Sequence, residues 1–162
     1  MKLTSSAFEN GIKLDAVYTV EGQDISPPLI WSTPPAETKS FAIICDDPDA
    51  PSARQPGPEP WVHWIIFNIP AATRELPSGV CRDREPGEVP GARQGRNSWP
   101  ENNIGYRGPA PPPGSGPHRY VFRVYALDLA LSLPAGATKS QLLTAMEKHI
   151  LAEGQLIGIY ER

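Results

Sequence analysis

The sequence predicts a mainly β protein folded as a single domain, residues 1–162. Twenty prolines are far more than average usage gives, and they interrupt the chain too often for a helical bundle. Runs of β-branched and aromatic residues are short and bounded by Pro, Gly or Asp, as strands are. A chain of this length buries roughly 70% of its unfolded surface, enough for one core.

Five segments are predicted to be strands: residues 14–20, 41–45, 62–69, 120–127 and 155–160. Alternation is clearest in the fourth, where Phe122 and Val124 share one face with Tyr120 while Arg123 lies on the other. Both faces of that segment are largely apolar, which predicts a central strand of a packed sheet.

One long helix is predicted over residues 139–153. Thr138 and Gln141 have the spacing of a capping box at its start, and Gly154 is a suitable end. The predicted apolar stripe consists of Leu142, Leu143, Met146 and Ile150.

Charge and cysteine usage exclude some classes of function. The net charge is −3 and no run of Lys and Arg matches a phosphate backbone, so no nucleic-acid partner is expected. No apolar run has the length of a signal peptide or membrane span, which predicts a cytoplasmic protein with at most peripheral membrane contact. Cys45 lies in an apolar run, so we expect a buried thiol and no disulfide with Cys81.

Two loop-rich segments separate the later strands. Residues 81–103 are polar, and residues 105–117 hold five prolines and four glycines. A disordered linker between two domains is one interpretation. Because residues 120–162 are too short for a core of their own, we favour long ordered loops, which are usually functional.

Two motifs stand where apolar runs meet these loops: Asp-Asp-Pro-Asp-Ala-Pro at residues 46–51 and Gly-Pro-His-Arg-Tyr at residues 116–120. Binding groups concentrate on loops carried by rigid strands, so the two motifs predict one site assembled by folding. About one cis X-Pro bond is expected among the prolines, and a pocket turn is a natural place for it.

With other motifs between residues 26 and 125, these segments resemble the phosphatidylethanolamine-binding protein family, also called the Raf kinase inhibitor protein family. The further motifs, in the family's order, are Ser26-Pro27-Pro28-Leu29 with Trp31, Lys39-Ser40-Phe41 and Trp61-Val62-His63-Trp64. Asn97 and residues 106–112 are similar to the bacterial and archaeal branch.

The resemblance implies an antiparallel Greek-key β-sandwich of two packed sheets, one long helix in the C-terminal region, long ordered loops and a small anion-binding cavity. The ligand-binding residues it implies are Asp47, Pro51, Trp61, His63, His118 and Tyr120, with Ala110, Pro111 and Pro112 at the rim. A tyrosine that mammalian relatives supply from an additional C-terminal helix has no counterpart. The resemblance also suggests a homodimer and a kinase or protease partner.

The residue types suit a phosphate. His63 and His118 can donate ring N–H groups and become cationic near neutral pH, so we expect tighter anion binding at slightly acid pH. The Tyr120 hydroxyl is a neutral donor. Asp47 repels phosphate, so we expect it either to orient a histidine or to meet the ammonium of phosphoethanolamine. Asp49 and Arg119 are expected to form a structural ion pair near the site.

The favoured function is non-enzymatic binding of a small phosphorylated or other anionic ligand, with no cofactor, metal or catalytic residue. The alternative is a hydrolase or metal-dependent enzyme using His63, His118, Asp47 and Asp49. Its usual nucleophile, zinc and phosphate-loop motifs are absent from the sequence. A third interpretation is a protein-interaction module that binds a kinase or protease through residues 82–103.

Overall fold

The computed structural model describes residues 1–162, and the chain forms eleven strands and two helices. The strands are β1 (Leu3–Thr4), β2 (Ile12–Lys13), β3 (Leu29–Trp31), β4 (Ser40–Asp47), β5 (Pro51–Ser52), β6 (Gln55–Pro56), β7 (Trp61–Pro70), β8 (Glu75–Leu76), β9 (Arg93–Gln94), β10 (His118–Leu127) and β11 (Ile150–Tyr160). The helices are a 3₁₀ turn, Ala16–Tyr18, and α1, Lys139–Met146.

A six-stranded sheet in the order β2-β11-β10-β4-β7-β9 forms the centre of the molecule. β10 pairs antiparallel with both β11 and β4, and β4 pairs antiparallel with β7. Every residue of β4 is buried. The four predicted strands after residue 40 all lie within observed strands, and the central position of residues 120–127 is confirmed.

Different layers cover the two faces of this sheet. The small sheet β1-β3-β8 shares one core with it, and the rings of Trp31 and Phe41 lie 5.2 Å apart. On the opposite face, Leu142 and Met146 of α1 belong to a second buried cluster that includes Ile44 of β4. The mainly β class is therefore confirmed. The sheets are not wholly antiparallel, because β2 runs parallel to β11.

The predicted strand at residues 14–20 is wrong, because its centre is the 3₁₀ turn Ala16–Tyr18. The Asp15 side chain accepts a hydrogen bond from the Val17 N–H at 2.9 Å, and the Thr19 N–H donates to the Ala16 carbonyl at 3.0 Å. These two local hydrogen bonds, one of them to the Asp15 side chain, outweigh the strand propensity of Val17 and Tyr18.

The predicted helix begins correctly but is too long. The capping box between Thr138 and Gln141 is present, yet α1 ends at Met146. Lys148 has a φ of 68°, and the chain then enters β11, which pairs with β10 along almost its whole length. Gly154 lies within this strand, where a Cβ would stand 2.6 Å from the Met1 carbonyl oxygen. The ladder of β11 with β10 therefore replaces the last two helical turns.

Two further predictions concern the cysteines and membrane-spanning segments. Both cysteines are free, and Cys45 is a buried core thiol as expected. Burial raises the pKa of Cys45 well above its usual value. None of the helices combines the length and the apolar character needed to cross a membrane.

Candidate functional site

A cavity of about 500 Å³ opens where the end of β4 meets the beginnings of β7 and β10. Asp47 is the register partner of Trp61 on β7, and Asp46 is the partner of Val121 on β10. Because β4 is antiparallel to both neighbours, the two distant motifs arrive at one edge. All nine predicted site residues line this cavity: Asp47, Pro51, Trp61, His63, Ala110, Pro111, Pro112, His118 and Tyr120.

Asp47 holds His118 in place. Its Oδ2 lies 2.7 Å from His118 Nδ1, and its Oδ1 accepts the Asp49 backbone N–H at 2.7 Å. Both side chains are buried. Burial raises the pKa of Asp47, and the hydrogen bond from His118 opposes that shift. Of the two roles expected for Asp47, orienting a histidine is the one that the structure shows.

The second ring nitrogen of His118 is also engaged. Nε2 lies 2.9 Å from Ser115 Oγ, and that hydroxyl is 2.6 Å from the Pro112 carbonyl oxygen. A carbonyl can only accept, so the Ser115 proton points to Pro112 when the Nε2–H of His118 donates to Oγ. Ser115, His118 and Asp47 thus form a continuous hydrogen-bonded chain, and Ser115 was not predicted from the sequence.

His63 is a buried, neutral acceptor. Its Nδ1 donates to the Arg107 carbonyl at 2.6 Å, and the Arg107 N–H donates to the His63 carbonyl at 3.0 Å. Burial lowers the pKa of His63 to about 4, although the bond to Arg107 raises it. A neutral ring with its proton on Nδ1 leaves Nε2 as an acceptor. The expected cationic donor at His63 is therefore wrong near neutral pH.

The Tyr120 hydroxyl is the unusual group of the cavity, because it is buried and has no hydrogen-bond partner. The tyrosine ring meets the His63 ring edge-on at 5.1 Å and stacks beside the His118 ring at 6.4 Å. Burial raises the pKa of Tyr120, so the hydroxyl keeps its proton. Since buried polar groups are nearly always paired, this donor needs an explanation.

Asp49 and Arg119 form the expected structural pair beside the cavity. Arg119 Nε and Nη2 each donate to an Asp49 carboxylate oxygen at 3.0 Å, and the Arg119 backbone N–H donates at 2.9 Å. The Arg119 side chain lowers the pKa of Asp49. This prediction is confirmed, and neither residue is in the cavity lining. The cis bond of the chain, Ala50–Pro51, lies at the cavity as anticipated.

The sequence interpretation missed part of the lining: Ala50, Gly57, Pro58, Glu59 and Trp99. The Trp99 ring lies 5.5 Å from that of Trp61 and 5.1 Å from that of His63. A tryptophan within the polar segment 81–103 was the available signal for it. Glu59 carried none.

The charge of the lining is one-sided. It contains the carboxylates of Asp47 and Glu59 but no lysine or arginine. Nowhere in the structure do three or more His, Cys, Asp or Glu side chains gather as a metal ion would require.

Comparison with known sequences gives one family. Residues 4–161 match a family model described as phosphatidylethanolamine-binding protein. A UPF0098 protein of Methanothermobacter thermautotrophicus is 48% identical over 163 residues, spanning 100% of this chain and 99% of the relative. A UPF0098 protein of Aquifex aeolicus is 42% identical and spans 100% of this chain and 89% of the relative.

Solved structures agree with this assignment. A phosphatidylethanolamine-binding protein homologue from Chlamydia trachomatis superimposes with a TM-score of 0.85 at 40% identity, covering 99% of this chain and 97% of the other. Escherichia coli YbcL, described as a member of the mammalian family, gives a TM-score of 0.86 at 32% identity, with 99% and 98% coverage.

Proposed function

Because the chain belongs to the phosphatidylethanolamine-binding protein family, we propose that it is a non-enzymatic binding protein for a small phosphorylated ligand of the phosphoethanolamine type. The observation that carries the proposal is the Tyr120 hydroxyl, a buried donor without a partner in the lining of the cavity. A buried polar group left unpaired costs about 1–3 kcal/mol. An acceptor oxygen of a ligand would remove that cost.

The size of the cavity supports a headgroup-sized ligand. Its volume of about 500 Å³ falls in the range typical of small-molecule sites. The turn Ala110–Pro111–Pro112 forms part of the rim, and the Arg162 guanidinium donates to the Pro111 carbonyl at 2.7 Å. A rim held in this way favours a preformed site, which reduces the entropy lost on binding.

The two ends of phosphoethanolamine fit different parts of the lining. The phosphate is proposed to lie against His63 and Tyr120. The ammonium is proposed to face Glu59 and the rings of Trp61 and Trp99, because aromatic faces and carboxylates both attract cations. This places the ammonium away from Asp47, whose two oxygens already accept hydrogen bonds.

Calorimetric titration of O-phosphoethanolamine and inorganic phosphate into the wild-type protein tests the proposal. We expect O-phosphoethanolamine to bind more tightly than phosphate, and Glu59→Gln to reduce that advantage without weakening phosphate itself. Glu75→Gln, a change on an exposed residue of β8, is the matched control. Failure of both ligands to bind would contradict the proposed function, and equal affinities for both would contradict the ammonium subsite.

A second candidate function is acyl transfer at Ser115. The chain Ser115–His118–Asp47, with distances of 2.9 and 2.7 Å, has the connectivity of a nucleophile, a general base and an orienting carboxylate. For this reaction the Ser115 hydroxyl would have to turn from the Pro112 carbonyl to an unprotonated His118 Nε2. Oγ would then attack an ester carbonyl carbon and pass its proton to Nε2, which would return it to the departing alcohol oxygen. Water would then hydrolyse the acyl-serine.

A fluorophosphonate probe separates this candidate from simple binding. Covalent labelling that disappears in both Ser115→Ala and His118→Ala would favour the enzyme. No labelling, with ligand binding intact, would favour the binding protein.

The cytoplasmic location, the homodimer and the kinase or protease partner stay predictions. Sedimentation tests the dimer. A pull-down with residues 82–103 replaced tests whether that segment contacts a partner.

A further inference from the structure

We infer that the cavity selects phosphate monoesters that carry one proton, with a P–O–H group donating to His63 Nε2 and another phosphate oxygen accepting from the Tyr120 hydroxyl. This inference rests on the proposed function and specifies its ligand class. It separates a free phosphate monoester from the phosphate diester of an intact phospholipid headgroup, which has no such proton.

The ring proton of His63 has a fixed position. A carbonyl oxygen accepts hydrogen bonds only, so the 2.6 Å contact with the Arg107 carbonyl places the ring proton on Nδ1. The Arg107 N–H donates back to the His63 carbonyl at 3.0 Å, which anchors this contact on both sides. The ring hydrogen bond of His63 involves Nδ1, and His63 lines the cavity, so we assign Nε2 as the acceptor for a ligand.

His63 is surrounded by charged and titratable groups but is itself neutral. The charged and titratable groups come from each element packed against it: Asp46 and Asp47 on β4, Glu59 before β7, His118 and Tyr120 on β10, and the Arg107 guanidinium, which lies over the Trp99 ring. Burial keeps the ring neutral near pH 7, since the pKa of His63 is about 4. The ring therefore supplies no positive charge to a bound anion.

The charge of the cavity lining favours a ligand that keeps one proton. The Asp47 carboxylate is already hydrogen-bonded to His118, Glu59 adds a second carboxylate to the lining, and no lysine or arginine is present, so a second negative charge on the phosphate is disfavoured. Keeping one proton lowers the ligand charge to one and gives His63 Nε2 a donor. One proton thus satisfies the free acceptor and reduces the repulsion together.

Binding of methyl phosphate, dimethyl phosphate and sulfate separates the effect of the ligand's charge from the effect of the ligand's proton. A phosphate monoester has a second pKa of about 6. Methyl phosphate at about pH 6 therefore contains both the singly and the doubly charged forms, dimethyl phosphate has one charge and no proton, and sulfate has two charges and no proton. We expect methyl phosphate to bind at least about tenfold more tightly than the other two, as expected for one hydrogen bond to a charged group.

The pH dependence follows from the same mechanism. Above the second pKa of methyl phosphate, its affinity is expected to fall by about tenfold per pH unit, as the protonated form disappears. A lipid headgroup and a free phosphate monoester are the two biological sources of a phosphoethanolamine group. Glycerophosphoethanolamine, a diester, represents the first, and O-phosphoethanolamine, a monoester, represents the second. The inference expects the monoester, O-phosphoethanolamine, to bind more tightly than the diester.

The ¹⁵N chemical shifts of the histidine rings provide a direct measurement that needs no variant. We expect His63 Nε2 to remain unprotonated in the methyl phosphate complex. His63→Gln, whose amide oxygen can still accept, should keep part of the preference, and His149→Gln is the control because the pair of His149 with Asp128 lies on the surface.

Equal binding of methyl phosphate and dimethyl phosphate, or a doubly protonated His63 in the complex, would overturn the inference and leave the proposed function standing. If none of these anions binds, both this inference and the proposed function are wrong.

Discussion

The last two residues of β4, Asp46 and Asp47, point to opposite faces of the same sheet and have opposite surroundings. Asp46 faces the helix side, where its carboxylate meets Lys139 Nζ at 2.6 Å and Arg123 Nη1 at 3.2 Å. Asp47 faces the cavity and bonds His118. Both carboxylates are almost fully buried, with exposures of 1% and 3%, so burial alone does not separate them.

What differs is the hydrogen-bonding capacity left unused on each side. On the helix side, Asp46 is matched by two cations and ties α1 to β10. On the cavity side, Tyr120 has a free donor, His63 has a free acceptor and no lysine or arginine balances the carboxylates. The structural cluster around Asp46 satisfies its own hydrogen bonds, whereas the proposed binding site would be completed by a ligand.

The largest effect is expected on the helix side. Asp46→Asn removes a buried carboxylate between two cations, so we expect the free energy of unfolding to fall by about 3 kcal/mol. Urea denaturation measures it. Asp128→Asn is the control, because the pair of Asp128 with His149 is exposed and is expected to contribute less than about 1 kcal/mol. Similar losses in both variants would refute the contrast between buried and exposed pairs.

The next effect is the pH dependence caused by His63. Its pKa is about 4 in the folded protein and about 6.5 in an unfolded chain. Above pH 6.5 neither state binds the proton, and between pH 6.5 and 4 only the unfolded state does. Stability is therefore lost as pH falls through this window, by roughly 2–3 kcal/mol.

Comparison with His63→Gln isolates this contribution from those of the carboxylates. The variant is expected to show a smaller loss of stability between pH 6.5 and 4 than the wild type, because glutamine does not titrate. A wild-type slope in His63→Gln would place the titrating group elsewhere.

A smaller effect compares two buried tyrosines. Tyr120→Phe removes an unpartnered hydroxyl, so we expect phosphate affinity to fall by about tenfold while stability stays unchanged or rises by up to about 1 kcal/mol. Tyr106→Phe removes a hydroxyl that donates to the Tyr18 carbonyl at 2.7 Å, so stability should fall by about 1 kcal/mol with binding unchanged. Calorimetry and thermal denaturation measure both. Loss of stability in Tyr120→Phe would mean that its hydroxyl is already satisfied.

The smallest effect is expected at the ion pair beside the cavity. The Arg119 side chain is 54% exposed, so Arg119→Gln should reduce stability by less than about 1 kcal/mol. Phosphate affinity should change little, because Arg119 does not line the cavity. A large loss of affinity on calorimetric titration would make Arg119 a ligand contact and not a structural residue.

Much of the site was predictable because its residues belong to short motifs at strand ends. Asp47, His63, His118 and Tyr120 were identified from the motifs and the family resemblance, and the antiparallel pairing of β4 with β7 and β10 brings them together. Ser115 and Trp99 were missed, since a loop serine and a loop tryptophan have no periodic pattern that indicates where they point.

Local sequence determined the elements whose signals are local. The proline density, the apolar runs at β4, β7 and β10, and the capping box at Thr138 predicted the mainly β class, the central strands and the start of α1. The end of α1 depended on partners distant in sequence, because β11 forms only when β10 offers it a ladder.

Tertiary structure alone decided the chemistry of the cavity. From the sequence alone, His63 is an ordinary histidine, but burial and the bond to the Arg107 carbonyl make its ring a neutral acceptor. It shows two adjacent aspartates, but only the fold gives Asp46 two cations and Asp47 a histidine. The physical reason is that solvation and hydrogen-bond partners, which set charge and proton position, are supplied by residues far away along the chain.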